Sequence, residues 1–445
     1  MNDPGASSPP LMAQPIAPAT ASPRIRRIQR AALILLVVGG VINYVDRATL
    51  AIGLPLIRSD LHFSMAESGF LLSAFLWAYA FAQLPAGALV DRIGARGMLS
   101  GGLGLWSLAQ VLGGFVGNFW QFIVVRVLLG VGESPQFPTC ARVVSDWFHR
   151  RERGFATGVW NCSSSLGTAI AAPLLTFLML QLGWRWMFAT MGLVGLAIAA
   201  VAFWLHRNPD QVDLTSEERA YLADDQTETK PVTWQDWKDL CRFPTTWGMI
   251  LGFFGTVYVL WIYNAWLPQY LATEWHLSIA RTGWVAAIPY VFGVGGSLIG
   301  GHVCDALVRR GFSPLMSRKW PIVVTLLGTA LFTVLAAYAP TSTIAVCCIS
   351  ISLFLLNCNS SAAWAMASVA ATKSCTASIG SIQNFGGYLG GASAPIVTGL
   401  IVQATGSFKA ALVVGGLVGT TAAIAHFILV QKPVVPGEGR VRSEA

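Results

Sequence analysis

The sequence predicts an all-α integral membrane protein with about twelve transmembrane helices in two six-helix bundles. Of its 445 residues, 54% are hydrophobic and only 11% are charged, whereas soluble proteins carry about 25% charged residues. Long apolar stretches recur along the chain, and a polar segment near its middle divides them into two similar sets. A soluble enzyme, a nucleic-acid-binding protein and a disordered scaffold are therefore excluded, despite the net charge of +8.

Each predicted membrane helix corresponds to one apolar stretch, because a bilayer-spanning helix needs about 20 mostly apolar residues. Such stretches lie at 31–55, 66–90, 97–117, 119–141, 155–179 and 184–206, and again at 246–271, 282–304, 320–339, 342–371, 377–402 and 408–430. The predicted organisation is a disordered cytoplasmic tail over 1–30, a first bundle over 31–206, a cytoplasmic linker over 207–245, a second bundle over 246–430 and a cytoplasmic tail over 431–445.

The loops alternate in their content of Lys and Arg. Clusters of these residues precede the first span, follow the second, fourth and eighth spans and occupy the C-terminal tail, whereas the opposite loops carry one apiece. Cytoplasmic loops of membrane proteins carry the excess of Lys and Arg. We therefore expect a multi-pass protein of a bacterial-type inner membrane with both termini in the cytoplasm.

An internal repeat supports the division into two halves. The segment Gly87–Arg96 reads GALVDRIGAR after the second span, and a shorter copy, GHVCD, ends at Asp305 after the eighth. The two Asp residues, Asp91 and Asp305, are 214 positions apart, about half of the chain. Parallel repeats related by an axis along the membrane normal are a recognised plan of transporters.

The GALVDRIGAR segment resembles the loop motif of the major facilitator superfamily, Gly-x-x-x-Asp-Arg-x-Gly-x-Arg, and the resemblance extends over residues 31–430. In that family the motif is a cytoplasmic gating latch, in which the Asp pairs with basic residues and caps helix ends. The resemblance therefore implies a gating role for the matching residues. These are Gly87, Asp91, Arg92, Gly94, Arg96 and Asp305.

Two pairs of charges lie inside predicted spans, where charged side chains are costly and usually functional. Asp46 and Arg47 are in the first span, and Arg126 and Glu133 are in the fourth. The planar guanidinium fork matches a carboxylate, so the arginines are candidate anion clamps and the acids candidate proton carriers. We expect Arg47 to hold its neighbour Asp46, and Glu133 to be the less firmly paired acid. The open alternative is two ion pairs that only hold helices together.

The sequences of several segments resemble the anion:cation symporter branch of this superfamily. Within that branch they are most similar to sugar-acid permeases, above all galactonate:proton symporters. These segments are NYVDRATL from Asn43, GVGESPQFP from Gly130 and WLPQYL from Trp266. The resemblance assigns proton coupling to Asp46 and Glu133. It assigns substrate binding to Arg47, Arg126, Tyr44, Tyr79, Ser164, Ser361, Trp364 and Asn384. Ser164 and Ala363 depart from the branch, because they stand where Gln and Thr are expected.

The expected function is therefore that of a proton-coupled symporter that imports an organic anion, most simply a sugar acid such as galactonate. A permease for aromatic carboxylates remains open, because fewer polar groups would suit a less hydroxylated substrate. A membrane sensor that binds its ligand without moving it is the third possibility. The sequence shows no catalytic constellation, metal cluster or cofactor motif. We expect a functional monomer whose partners are the anion, protons and the lipid bilayer, and no nucleic acid.

Overall fold

The computed structural model describes residues 21–222, 238–370 and 376–434, and the regular structure of these residues is helical. The all-α membrane fold class is confirmed. In the first half the helices are α1 Pro23–Leu61, α2 Met65–Ile93, α3 Ala95–Gly113, α4 Phe119–Glu133, α5 Gln136–Trp147, α6 Arg150–Leu205 and α7 Ser216–Leu222, with a 3-10 turn at Pro209–Gln211. In the second half they are α8 Pro244–Glu274, α9 Ile279–Arg309, α10 Met316–Ala337, α11 Ser342–Ala370, α12 Thr376–Thr405 and α13 Phe408–Leu429.

Helix α1 begins at Pro23, inside the segment predicted to be a disordered tail. Ser22 is its N-cap and accepts a hydrogen bond from the backbone N–H of Ile25, and a proline in the first turn suits a helix start. The first 20 residues of the predicted tail, the linker residues 223–237 and the C-terminal residues 435–445 lie outside the described residues.

The helix boundaries differ from the predicted spans in two places. Helices α4 and α5 share the fourth span and are separated at Ser134 and Pro135. Helix α6 covers the fifth and sixth spans and turns at Gly183, whose φ of 79° is left-handed and therefore suits glycine. Within the described ranges, nine helices are long and apolar enough to cross a membrane. The count of twelve spans stays a prediction.

The two bundles touch near one face of the molecule. We call the face that carries the start of α1 and the end of α13 the terminal face, and the other one the opposite face. Close to the opposite face, the backbone N–H of Ala66 on α2 donates to Gln403 on α12 at 2.9 Å. Farther along the same two helices, the Ser73 hydroxyl donates to the carbonyl of Ala392. These contacts position the first-bundle charges beside the second bundle.

Candidate functional site

Arg47 and Glu133 form a buried ion pair in the first bundle. The Nε of Arg47 on α1 donates to Oε2 of Glu133 at the end of α4 at 2.7 Å, and the side chains are 9% and 0% exposed. The expected pairing of Arg47 with Asp46 is therefore wrong, and Glu133 is the firmly held acid. Consecutive side chains on a helix point about 100° apart, so Asp46 and Arg47 face different neighbours.

Asp46 lies in the same bundle, fully buried beside Trp106, Glu133 and Arg126. Among the described residues, neither of its carboxylate oxygens has a hydrogen-bond partner. Arg126 is also buried. Its Nε and Nη1 have no hydrogen-bond partner among the described residues. The four charges balance, yet in the described part of the chain only Arg47 and Glu133 are joined to each other, by one hydrogen bond. The cluster therefore holds spare capacity to accept and donate hydrogen bonds.

Aromatic rings enclose the Arg47 guanidinium. Its central carbon lies 5.0 Å from the ring centroid of Tyr44, 5.4 Å from that of Phe75 and 4.9 Å from that of Tyr79. A guanidinium over an aromatic face is stabilised by the ring quadrupole. Its Nη2 is buried and has no partner among the described residues. Arg47 is thus a fixed cation with one donor group to spare.

The other predicted substrate residues contact neighbours other than Arg47 and Glu133. Ser164 on α6 donates to the carbonyl of Asn161 at 2.8 Å and lies beside Tyr44. Ser361 on α11 donates to the carbonyl of Ser297 at 3.0 Å. Trp364 is 51% exposed and packs edge-on against Phe253, with the centroids 5.8 Å apart. Asn384 is half-buried on α12. The substrate role of these residues stays a prediction.

Sequence reasoning missed several residues around the charges. The side chains of Asn43 and Gln136 are fully or almost fully buried, and their amide atoms are unpartnered among the described residues. Both are polar residues in apolar spans, and this feature of the sequence could have identified them as site residues. Trp106, which lies beside Asp46, carried no such signal. The ring of Tyr388 on α12 packs at a tilt against that of Tyr79, with the centroids 4.8 Å apart. The position of Tyr388 in a glycine-rich run pointed only to helix packing.

The predicted gating motif lies at the terminal face. Asp91 pairs with Arg142 of α5 at 3.0 Å, both largely exposed, and exposed pairs contribute little stability. Helix α3 begins after Gly94, whose φ is 83°, with no side-chain cap, so Asp91 pairs with a base and does not cap α3. The backbone N–H of Arg96 donates to Asn208 of the linker at 2.9 Å. The remaining motif residues are exposed or half-buried: Gly87, Arg92 and Asp305.

The arrangement can hold an anion and exchange protons. Arginines supply guanidinium donors, and carboxylates beside them can take up or release protons. No group of His, Cys, Asp or Glu side chains that could hold a metal ion occurs in the described ranges.

Comparison with known proteins identifies a matching family and similar transporters. The sequence model of the Major Facilitator Superfamily matches residues 36–395 and 261–444. A probable L-galactonate transporter of Escherichia coli (strain K12) is 43% identical over 415 residues, which cover 93% of this chain and 92% of that protein. A D-galactonate transporter of Escherichia coli O6:H1 is 31% identical over 89% of this chain and 94% of its own length.

Among solved structures, the chain is similar to a bacterial homolog of the human lysosomal transporter Spinster in an inward-facing, unoccupied conformation. The TM-score is 0.77 with 17% identity, over 91% of this chain and 97% of that one. A similar comparison with a D-xylose-proton symporter gives a TM-score of 0.71 with 13% identity, over 90% of this chain and 98% of that one. At such identities the likeness concerns the fold alone.

Proposed function

We propose a function on the premise that this chain belongs to the Major Facilitator Superfamily and is a transporter, not an enzyme. The proposal is a proton-coupled symporter that imports a sugar acid such as galactonate across a bacterial inner membrane. The names of the two galactonate transporters support the substrate class. The buried Arg47–Glu133 pair, with its unused guanidinium donor, supports the mechanism.

Arg47 is the proposed anion site. In the structure it gives Nε to Glu133 and leaves Nη2 without a partner among the described residues. A substrate carboxylate accepts two parallel hydrogen bonds from a guanidinium, so it competes with Glu133 for Nε. A proton on Glu133 removes the negative charge that holds Arg47. Substrate binding and protonation of Glu133 therefore favour each other, and this linkage is what a symporter needs.

Asp46 is the proposed second proton carrier. It shares its buried environment with Arg126 and Glu133, so a proton on either acid changes the charge felt by the other. Arg126 compensates whichever acid is ionised. Because Arg47 is hydrogen-bonded to Glu133, and the charged neighbours of Asp46 are Glu133 and Arg126, we assign to Asp46 proton storage and not substrate contact.

The two bundles supply the alternation of access. Lys and Arg clusters in the loops of the terminal face support a cytoplasmic position for this face and for both termini. The contacts between α2 and α12 near the opposite face then close the molecule toward the outside. In this state the anion delivered at Arg47 is released toward the cytoplasm.

Calorimetric titration of the purified protein with galactonate, glucarate and phthalate tests the anion site. We expect wild type to bind galactonate and Arg47→Ala to lose measurable binding while remaining folded enough to purify. Arg281→Ala, which removes an exposed guanidinium near the opposite face, is the matched control and should bind as wild type does. Normal galactonate binding by Arg47→Ala would refute the anion site. Binding of phthalate in preference to sugar acids would make the protein an aromatic-carboxylate permease.

A further inference from the structure

Tyr388 brings the second bundle into contact with the surroundings of Arg47. Its ring on α12 lies 4.8 Å from the ring of Tyr79 on α2, at an interplanar angle of 40°. Tyr79 is fully buried, and its ring centroid is 4.9 Å from the central carbon of the Arg47 guanidinium. A continuous series of contacts therefore leads from the second bundle through Tyr79 to the cation.

The enclosure of Arg47 has a similar but looser connection at Phe75. The Phe75 ring lies 5.4 Å from the Arg47 carbon and 6.4 Å from the ring of Trp261 on α8. The contact of Tyr388 with Tyr79, at 4.8 Å, is therefore closer than that of Trp261 with Phe75. The remaining ring, Tyr44, lies on α1 next to the arginine itself. The rings that hold the cation thus belong to the first bundle, and two of them are supported from the second.

We propose that Tyr388 is a positioning residue for anion binding, which acts on Arg47 through the ring of Tyr79. The inference rests on the proposed anion site at Arg47 and adds a dependence of that site on the second bundle. Transport requires the bundles to move relative to each other, so the tilted ring contact between Tyr388 and Tyr79 has to be broken and remade. The guanidinium is then well oriented only when α12 contacts α2 through Tyr388 and Tyr79. The affinity for the anion therefore depends on the conformation.

Phe385 provides an internal comparison on the same pair of helices. It lies on α12 three residues before Tyr388 and forms an edge contact with Phe81 of α2, with the centroids 6.5 Å apart. Phe81 is 56% exposed, and the rings within cation–π range of Arg47 do not include it. A residue that only packs the bundles together should behave like Phe385, whereas a positioning residue should not.

The test compares the full-length variants Tyr388→Leu, Tyr388→Phe and Phe385→Leu by calorimetry with galactonate and by counterflow in proteoliposomes. Aromatic pairs contribute modestly beyond their buried area, so the loss of one should weaken galactonate binding and raise KM by about 3- to 10-fold. We expect this for Tyr388→Leu. Tyr388→Phe keeps the ring and should stay within about 2-fold of wild type. Phe385→Leu should leave both constants unchanged, even where it lowers the melting temperature.

Three outcomes would overturn the inference. Tyr388→Leu binding galactonate like wild type excludes a positioning role. Equal weakening by Tyr388→Leu and Phe385→Leu assigns the effect to packing between the bundles. Loss of binding in Tyr388→Phe assigns the effect to the hydroxyl and not to the ring contact. Arg47→Ala is measured in the same series: if it binds galactonate normally, the proposed function itself fails, whereas loss in Arg47→Ala with any of the three outcomes removes only the role of Tyr388.

Discussion

At the scale of the residue, the sequence identifies the charges of the site but not their partners. Asp46, Arg47, Arg126 and Glu133 stand out because each is an ionisable group in an apolar span. Adjacency in sequence suggested that Arg47 holds Asp46, whereas in the structure it holds Glu133, 86 positions away. Pairing depends on the rotation of α1 relative to α4, which composition does not encode. Tyr388 escaped detection for the same reason, since an aromatic residue among glycines fits ordinary packing.

Arg47→Lys tests the geometry of the guanidinium separately from its charge. Lysine keeps the positive charge but loses the planar fork that binds a carboxylate in bidentate fashion. We expect galactonate affinity to fall by about 10- to 100-fold, as for loss of a hydrogen bond between charged groups. Isothermal titration of the purified variant checks this, with Arg281→Lys as the control. An affinity equal to that of wild type would show that charge alone suffices at this position.

At the scale of the element, the N-terminal extension of α1 and helix α7 of the linker are docked on each other. The Ser22 hydroxyl donates to Oε1 of Glu218 at 2.7 Å, and the Tyr221 hydroxyl donates to Glu152 of α6 at 2.8 Å. Arg26 pairs with the same Glu152 at 2.7 Å. The sequence predicted disorder for the tail over 1–30, because this segment is rich in Ala, Pro and Ser, ends in arginines and lies outside the apolar spans. Partners from α6 and α7 supply the stabilisation that local sequence does not reveal.

This docking should depend on pH. The hydrogen bond from Ser22, followed by that from the backbone of Thr215, lowers the pKa of Glu218 from its ordinary value. A lowered pKa in the docked state means that the stabilisation is complete above the ordinary pKa and is lost as the pH falls through the lowered one. The protection factors of the α7 amides, which correct for the intrinsic pH dependence of exchange, should therefore be high at neutral pH and fall several-fold below about pH 4.

The variant Glu218→Gln should exchange faster than wild type at neutral pH and lose most of this pH dependence. Glu217→Gln removes the adjacent, exposed carboxylate and is the matched control. If the two variants behave alike at both pH values, the contact of Glu218 with Ser22 does not hold α7 in place.

At the scale of the whole molecule, the seam between α2 and α12 near the opposite face is too tight for added side chains. A Cβ at Gly69 would lie 2.5 Å from the carbonyl oxygen of Pro395, and one at Gly399 would lie 2.6 Å from that of Met65. Backbone atoms cannot rotate away from such a clash, so the bundles themselves would have to separate. Two bundles were predictable from the repeat, but which ends of the helices touch was not, since both ends are similarly apolar.

Gly69→Ala should therefore shift the protein away from the conformation in the structure. We expect slower counterflow of galactonate and greater labelling of a cysteine placed at Gln403 from the opposite face. Gly101→Ala on α3 is the control, because its Cβ would meet nothing within 4 Å. Unchanged labelling and transport in Gly69→Ala would show that the seam tolerates the methyl group and does not close this face.

In the proposed mechanism Glu133 links the anion at Arg47 to the proton, so its loss should separate galactonate exchange from proton-driven accumulation. Glu133→Gln imitates the protonated acid and cannot release a proton, so Arg47 stays available to the substrate. In the same proteoliposomes, we predict that this variant exchanges galactonate by counterflow at a rate near that of wild type but does not accumulate it when a proton gradient is imposed. Asp46→Asn should likewise exchange galactonate by counterflow without accumulating it. Accumulation at the wild-type level by both variants and by the double variant would contradict the account and leave the acids as structural partners of the arginines.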